Sequence, residues 1–118
     1  MTDPILIFGA TGGVGSALAR RLAGEGRAVH LAGRDADALA ALGRELNAAT
    51  SQVDVMDPDQ VQAAVDSAAA NGRLGGVAYC VGSIVLKTLK RASAQDFEET
   101  YRLNVVGAAI ALQRAETA

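Results

Sequence analysis

Ile5-Leu6-Ile7-Phe8-Gly9-Ala10-Thr11-Gly12-Gly13-Val14-Gly15-Ser16-Ala17-Leu18 is the stretch that decides the fold. Its opening apolar run reads as a strand buried on both faces. A cluster of glycines then breaks the chain, and Val14, Leu18 and Leu22 follow at helical spacing. Such a turn leaves backbone N–H groups unpaired at a helix start, where a dinucleotide pyrophosphate can be held. One glycine lets the chain turn sharply. Another removes a side chain where phosphate must approach, and a third lets the helix press on the strand. Gly9, Gly12, Gly13 and Gly15 satisfy both G-x-x-x-G-x-G and G-x-x-G-x-x-G. With Thr11 and Val14 they are the candidate phosphate-binding residues. Thr11 and Ser16 are helix caps, phosphate ligands or both. The competing reading is a tight structural turn without a ligand.

Strand and helix signals alternate outward from this turn. Residues 28–32 read as a second strand. Asp35 then caps a helix with Leu39, Leu42 and Leu46 on one face. Residues 51–55 read as a third strand. Asp57-Pro58 opens a helix carrying Val61, Ala64, Val65 and Ala68, closed by Asn71-Gly72. Residues 76–81 form a fourth expected strand, ending at Gly82. Residues 83–92 are less regular. Ser93 caps one long helix that passes Phe97, Tyr101, Val105 and Ala108 on the way to Ala118. Strand–helix alternation of this kind implies parallel strands with right-handed crossovers. The expected fold is α/β: a doubly wound parallel sheet of about four strands in spatial order 3-2-1-4.

Composition narrows the function classes. A length of 118 residues suits one domain. Half the residues are apolar but only 3% are aromatic, so the core must be built from Ala, Val, Leu and Ile. Without tryptophan and with so few rings, a base-stacking platform for single-stranded nucleic acid is not expected. A net charge of −2 provides no basic field for nucleic acid or an acidic membrane. Cys80 is the single cysteine, which excludes an internal disulfide and fits a reducing compartment. It reads as a small packing residue rather than a nucleophile. His30, the single histidine, falls in a strand; with no partner ligands, no metal site is expected. No apolar run is long enough to span a bilayer, and the N-terminus lacks the basic start of a signal peptide. The expectation is a soluble cytoplasmic protein.

Four places resemble the short-chain dehydrogenase/reductase family, in the same order and with similar spacing. The first is the glycine motif, although Phe8 stands where the family usually has Thr. The second is Asp54-Val55, matching the acidic residue after the third strand. The third is Tyr79-Cys80-Val81-Gly82, aligned with Asn-Asn-Ala-Gly and retaining only the glycine. The fourth is Asn104-Val105-Val106-Gly107, matching the helical Asn-x-x-Gly element. The resemblance covers essentially the whole chain and implies a Rossmann-type, dinucleotide-binding fold. It implies that Asp54 and Val55 contact the adenine and that Val81 and Gly82 contact the coenzyme. It also implies a catalytic role for Asn104, ordering a proton-relay water. Asp54 as a strand terminator and Asn104 as a polar group bonded to backbone are the plainer alternatives.

The coenzyme preference is read from Leu31-Ala32-Gly33-Arg34-Asp35. An acidic side chain at the end of the second strand would bond the ribose hydroxyls and repel a 2′-phosphate. Gly33 occupies that place, and Arg34 follows with a guanidinium suited to phosphate. NADP is therefore favoured over NAD. A second cation common in NADP-dependent relatives is missing, because Gly12 stands in its place. The alternative for Arg34 is a solvated surface arginine.

The resemblance also implies a Ser and a Tyr-x-x-x-Lys pair, and neither finds a match. Tyr79 falls in a core strand, and Tyr101 is followed four positions on by Val105. Lys87 and Lys90 pair with no tyrosine at that spacing. The expectation is thus the N-terminal part, residues 1–118, of a dinucleotide-binding domain, truncated and inactive on its own. Its parent would act on a small-molecule carbonyl or alcohol. The alternative is a non-catalytic dinucleotide-binding or partner-binding module. A free edge on the fourth strand and an uncovered last helix lead to an expected homo-oligomer.

Overall fold

The structure is a computed structural model that describes residues 3–82 and 86–118. Its strands are β1 (Ile5–Phe8), β2 (Val29–Gly33), β3 (Ala49–Gln52) and β4 (Gly76–Tyr79). They form one parallel sheet in the order β3-β2-β1-β4, as the sequence predicts. Phe8 of β1 lies level with Ala32 of β2 and Tyr79 of β4, so β1 and β4 end together and β2 runs one residue further. Between the strands run α1 (Gly13–Gly24), α2 (Ala36–Leu46) and α3 (Pro58–Ala68). After β4 come α4 (Ala94–Tyr101), a π-helical turn (Arg102–Val106) and α5 (Gly107–Ala115).

The two-residue period of a strand sends neighbours in β1 to opposite faces. Leu6 and Phe8 join Val61, Val65 and Ala111 on the face covered by α3 and α5. Ile7 joins Leu31, Leu39 and Leu42 on the face covered by α1 and α2. Burial on both faces is why β1 reads as an unbroken apolar run. Three helices start on side-chain caps. The Asp35 carboxylate accepts from the N–H groups of Asp37 and Ala38, both at 3.1 Å. Asp57 accepts from Asp59 at 3.0 Å, with Pro58 in the first turn. Ser93 and Asp96 form a reciprocal capping box.

His30 is 4% exposed, and its Nε2 lies 2.7 Å from Ser51 Oγ across the β2–β3 pair. Burial pushes its pKa below the usual value. A structural histidine is what its strand position suggests.

The structure corrects two expectations of local structure. The third strand is Ala49–Gln52, not residues 51–55. The ladder with β2 stops at Gly33↔Gln52. Beyond it Asp54 turns the chain, its Oδ1 accepting from Met56 N–H at 2.9 Å. Val53 and Val55 are buried as their apolar character demands, but in the loop over α3 rather than in the sheet. The single long last helix is instead interrupted at Arg102–Val106. There Asn104 Nδ2 donates to the Thr100 carbonyl at 3.0 Å, and the Tyr79 hydroxyl donates to the Leu103 carbonyl at 2.8 Å. Side chains that bond into the backbone ladder are a recognised cause of such breaks. Smaller shifts occur at the other ends: α1 begins at Gly13, β2 is displaced by one residue, and β4 ends at Tyr79. Of the irregular segment expected at 83–92, residues 83–85 lie outside the described residues. No helix among the described residues is long and apolar enough to cross a membrane.

Candidate functional site

A cleft of about 270 Å³ opens at the carboxyl ends of β1, β2 and β4. Gly9, Thr11 and Gly12 supply its first wall, from the turn after β1. Gly33 and Arg34 come from the end of β2, and Val53, Asp54 and Val55 from the turn after β3. Cys80, Val81 and Gly82 continue β4, and Leu103 of the π-helical turn closes the cleft. This is where the strand order reverses, since β2 and β4 flank β1 on opposite sides. Eight of the sequence-predicted residues therefore meet here: Gly9, Thr11, Gly12, Arg34, Asp54, Val55, Val81 and Gly82.

Four others do not line the cleft. Gly13 and Val14 sit in the first turn of α1, Val14 being 74% exposed. Gly15 is buried against the turn, and Asn104 lies behind Gly82.

The four glycines do different jobs. Gly9 has φ +75°, and a Cβ there would come within 2.8 Å of the Cys80 carbonyl. A Cβ on Gly15 would run into the Gly9 carbonyl oxygen. These two are required by the protein's own packing. A Cβ on Gly12 would meet only the Gly9 oxygen, at 3.5 Å, and one on Gly13 would meet nothing within 4 Å. No internal contact calls for glycine at either of those two positions. The start of α1 also differs from the starts of α2, α3 and α4. Gly12 is its N-cap, no side chain bonds to it there, and its first turn holds no acidic residue. Neither Thr11 nor Ser16 caps it; the Ser16 hydroxyl donates back to the Gly13 carbonyl at 3.4 Å. Backbone N–H groups at this end are left for an outside acceptor.

Asp54 is fixed from both sides. Its N–H donates to Gln60 Oε1 at 2.8 Å, and its carboxylate holds Met56. Arg34 is anchored through its backbone carbonyl, which accepts from Gln52 Nε2 at 3.1 Å. Its guanidinium takes part in none of the ion pairs among the described residues. A Cβ on Gly33 would sit at ordinary contact distance, 3.5 Å from Thr11 Oγ1, so packing does not demand glycine there either. Asn104 stands where Gly82 lacks a side chain: a Cβ on Gly82 would come 3.1 Å from Asn104 Oδ1. The last two motifs read from the sequence are thus in direct contact.

Acid–base groups are scarce around the cleft. Among the described residues its lining contains no Tyr, Lys or His. Tyr79 is turned to Leu103, Tyr101 is exposed, and Lys87 is paired with Asp96 at 3.0 Å. Cys80 does line the cleft, which its reading as a packing residue did not anticipate. Burial raises its thiol pKa, so it stays protonated and a poor nucleophile. Leu103 was also missed. It lies within the π-helical turn, for which apolar spacing carries no signal.

The profile of the short chain dehydrogenase family matches residues 3–117. The chain belongs to the short-chain dehydrogenase/reductase family. A D-threitol dehydrogenase of Mycolicibacterium smegmatis is 37% identical over 108 residues, which make up 86% of this chain and 42% of that protein. A short-chain type dehydrogenase/reductase from Mycobacterium ulcerans superposes with a TM-score of 0.92 at 28% identity, over 99% of this chain and 46% of that one. A blue fluorescent protein from a metagenomic library, solved in complex with NADPH, gives a TM-score of 0.88 at 28% identity, over 98% of this chain and 51% of that one. This short-chain dehydrogenase/reductase chain thus spans about half the length, or less, of these relatives. Its sheet order is that of the family's Rossmann-type fold.

Proposed function

We propose that this chain is the coenzyme-binding part, residues 1–118, of an NADP(H)-preferring oxidoreductase that interconverts a small-molecule carbonyl and alcohol. The observation that carries the reading is the uncapped start of α1 beside two glycines, Gly12 and Gly13, that packing does not require. In this reading the N–H groups of Gly13, Val14 and Gly15 bind the pyrophosphate, and Gly12, whose own N–H donates to the Gly9 carbonyl at 3.2 Å, leaves room for it to approach. Arg34 takes the 2′-phosphate as a bidentate donor, and Gly33 leaves out the carboxylate that would repel it. Asp54 and Val55 flank the adenine, while Val81 and Gly82 border the coenzyme at β4. When bound, the coenzyme supplies or accepts a hydride. Asn104, beside Gly82, orders a water for proton relay. The NADPH complex of the blue fluorescent protein supports the preference for NADP.

The reading extends to a soluble, cytoplasmic protein that self-associates. Self-association rests on the edge of β4, which no strand pairs among the described residues, and on the exposed Phe97, Tyr101 and Val105 of the last helical arm. The 118 residues contain no Tyr-x-x-x-Lys pair, so the chain alone does not turn over substrate. The exposed apolar arm favours a second reading, as a non-catalytic dinucleotide-binding or partner-binding module. A Tyr-x-x-x-Lys encoded downstream of Ala118 supports the enzyme; a stop codon at that point in intact related genes supports the module.

Titration of the chain with NADPH and NADH, followed by nucleotide fluorescence, tests the site. The expected result is saturable binding with NADPH the tighter. Arg34→Ala should weaken NADPH about tenfold, the worth of one charge-assisted phosphate contact, and leave NADH unchanged. Equal losses for both nucleotides would remove the assigned role of Arg34. Failure of the chain to bind either nucleotide would remove the site.

A further inference from the structure

Tyr79 is the last residue of β4 and stands where the family pattern places an asparagine. Its ring packs on Phe8 with centroids 6.2 Å apart. Its hydroxyl crosses to the helical arm and donates to the Leu103 carbonyl at 2.8 Å. Gly107 lies four residues further along the arm, and a Cβ there would collide with the same hydroxyl. Tyr79 Oη is therefore seated between positions 103 and 107, on one face of the arm. Asn104 follows Leu103 directly and is placed against Gly82 at the cleft. The break in the helix and its cross-link to the sheet thus fall at the same residues.

We propose that Tyr79 is a positioning residue: its hydroxyl holds the π-helical turn so that Asn104 stands against Gly82. The proposal rests on the reading of Asn104 as the relay residue. It deepens that reading by naming what sets the side chain in place. Gly107 belongs to the same device, since its missing side chain makes the seat for the hydroxyl. Burial raises the Tyr79 pKa, so the donor proton is retained at neutral pH.

Tyr79→Phe keeps the ring and its packing on Phe8 and removes only the donor. The readouts are the side-chain amide resonances of Asn104, amide hydrogen exchange along the chain, NADPH affinity and the thermal midpoint. The expected result is a displaced Asn104 amide pair and exchange in residues 102–107 about fivefold faster, the worth of one hydrogen bond. Exchange in β1 and β2 should not change, and neither should NADPH affinity. Gly107→Ala, which pushes the hydroxyl from its seat, should give the same signature. A purely stabilising tyrosine would lower the thermal midpoint and leave the Asn104 signals where they were, which overturns the proposal. Loss of the fold in Tyr79→Phe or in Gly107→Ala also overturns it, because the contact would then hold up the whole arm. If the unmutated chain binds no NADPH, the functional reading fails, and the Asn104 resonances still decide whether Tyr79 positions it.

Discussion

The first crossover, from β1 through α1 and β2 to α2, and the last arm, from β4 to α5, are built on the same plan and finished to different degrees. Each presses a helix onto a strand end through a glycine. Gly15 rests on the Gly9 carbonyl, and Gly107 rests on the Tyr79 hydroxyl. In the first crossover Ala19, Leu31, Leu39 and Leu42 are all buried, with Val14 at the helix start the exposed exception. In the arm, α4 buries no residue, and Phe97 and Tyr101 remain 56% and 59% exposed. Backbone meets backbone in one region, whereas a side-chain hydroxyl meets a helical carbonyl in the other. The first arrangement is rigid because neither partner can rotate away. The second can be retuned by changing one residue, and it lies beside the group proposed to handle the proton.

The largest effect should come from breaking the first region. Gly15→Val drives a side chain into a backbone carbonyl that cannot yield, and should cost more than about 3 kcal/mol of stability. Chemical denaturation measures it. Gly13→Ala, two residues away, should leave stability within about 0.5 kcal/mol, because its Cβ meets no other group. NADPH affinity should still fall in Gly13→Ala, because the added methyl occupies the approach to the helix start. A Gly13→Ala variant with full affinity would mean that the open glycines face no ligand.

The exposed arm should respond differently to substitution. Phe97→Glu puts a charge on its apolar face and should weaken self-association about tenfold or more, the usual cost of removing an aromatic anchor. The thermal midpoint of the dissociated chain should hold, since Phe97 is already more than half exposed. Sedimentation across a concentration series reads both states. A strictly monomeric wild-type chain would show that the uncovered face does not join copies.

Much of the first region could be read from the sequence, and less of the arm. β1 announces itself by an apolar run, and Asp35 and Asp57-Pro58 mark helix starts that the structure keeps. These signals are local, and so they survive folding. Gly9, Thr11, Gly12, Arg34, Asp54 and Gly82 gather in the cleft because all follow strand ends, and strand ends of a parallel sheet lie on one side. The displaced third strand shows the limit. Val53 and Val55 carry a strand-like burial signal, but register with β2 and the Asp54 turn decide where pairing stops. The π-helical turn carries only one local signal, Asn104, whose amide bonds the Thr100 carbonyl one turn back. Its carbonyl at Leu103 accepts from Tyr79, 24 residues away, and no periodicity within the helix encodes that contact.

The smallest predicted effect concerns pH and belongs to the finished region. His30 is buried beside Ser51, and desolvation disfavours its charged form, so its folded pKa lies below the unfolded 6.5. Above 6.5 both folded and unfolded chains hold the ring neutral, and the fold keeps its full stability. As the pH drops below 6.5, the unfolded chain takes up a proton that the folded chain refuses. Stability should therefore fall with decreasing pH until the folded pKa is passed. For one proton the slope cannot exceed about 1.4 kcal/mol per pH unit. Glu45, bonded to Arg20, and Asp96, bonded to Ser93 and Lys87, have lowered pKa values and lose their partners only below the ordinary carboxylate values of 4.5 and 3.8. Their acid loss is therefore separable from that of His30. Denaturant midpoints measured from pH 7.5 to 5 should show the slope in the native chain and lose it in His30→Gln. A slope that persists in His30→Gln would place the titrating group elsewhere, and the arm with its exposed charges would be the first place to look.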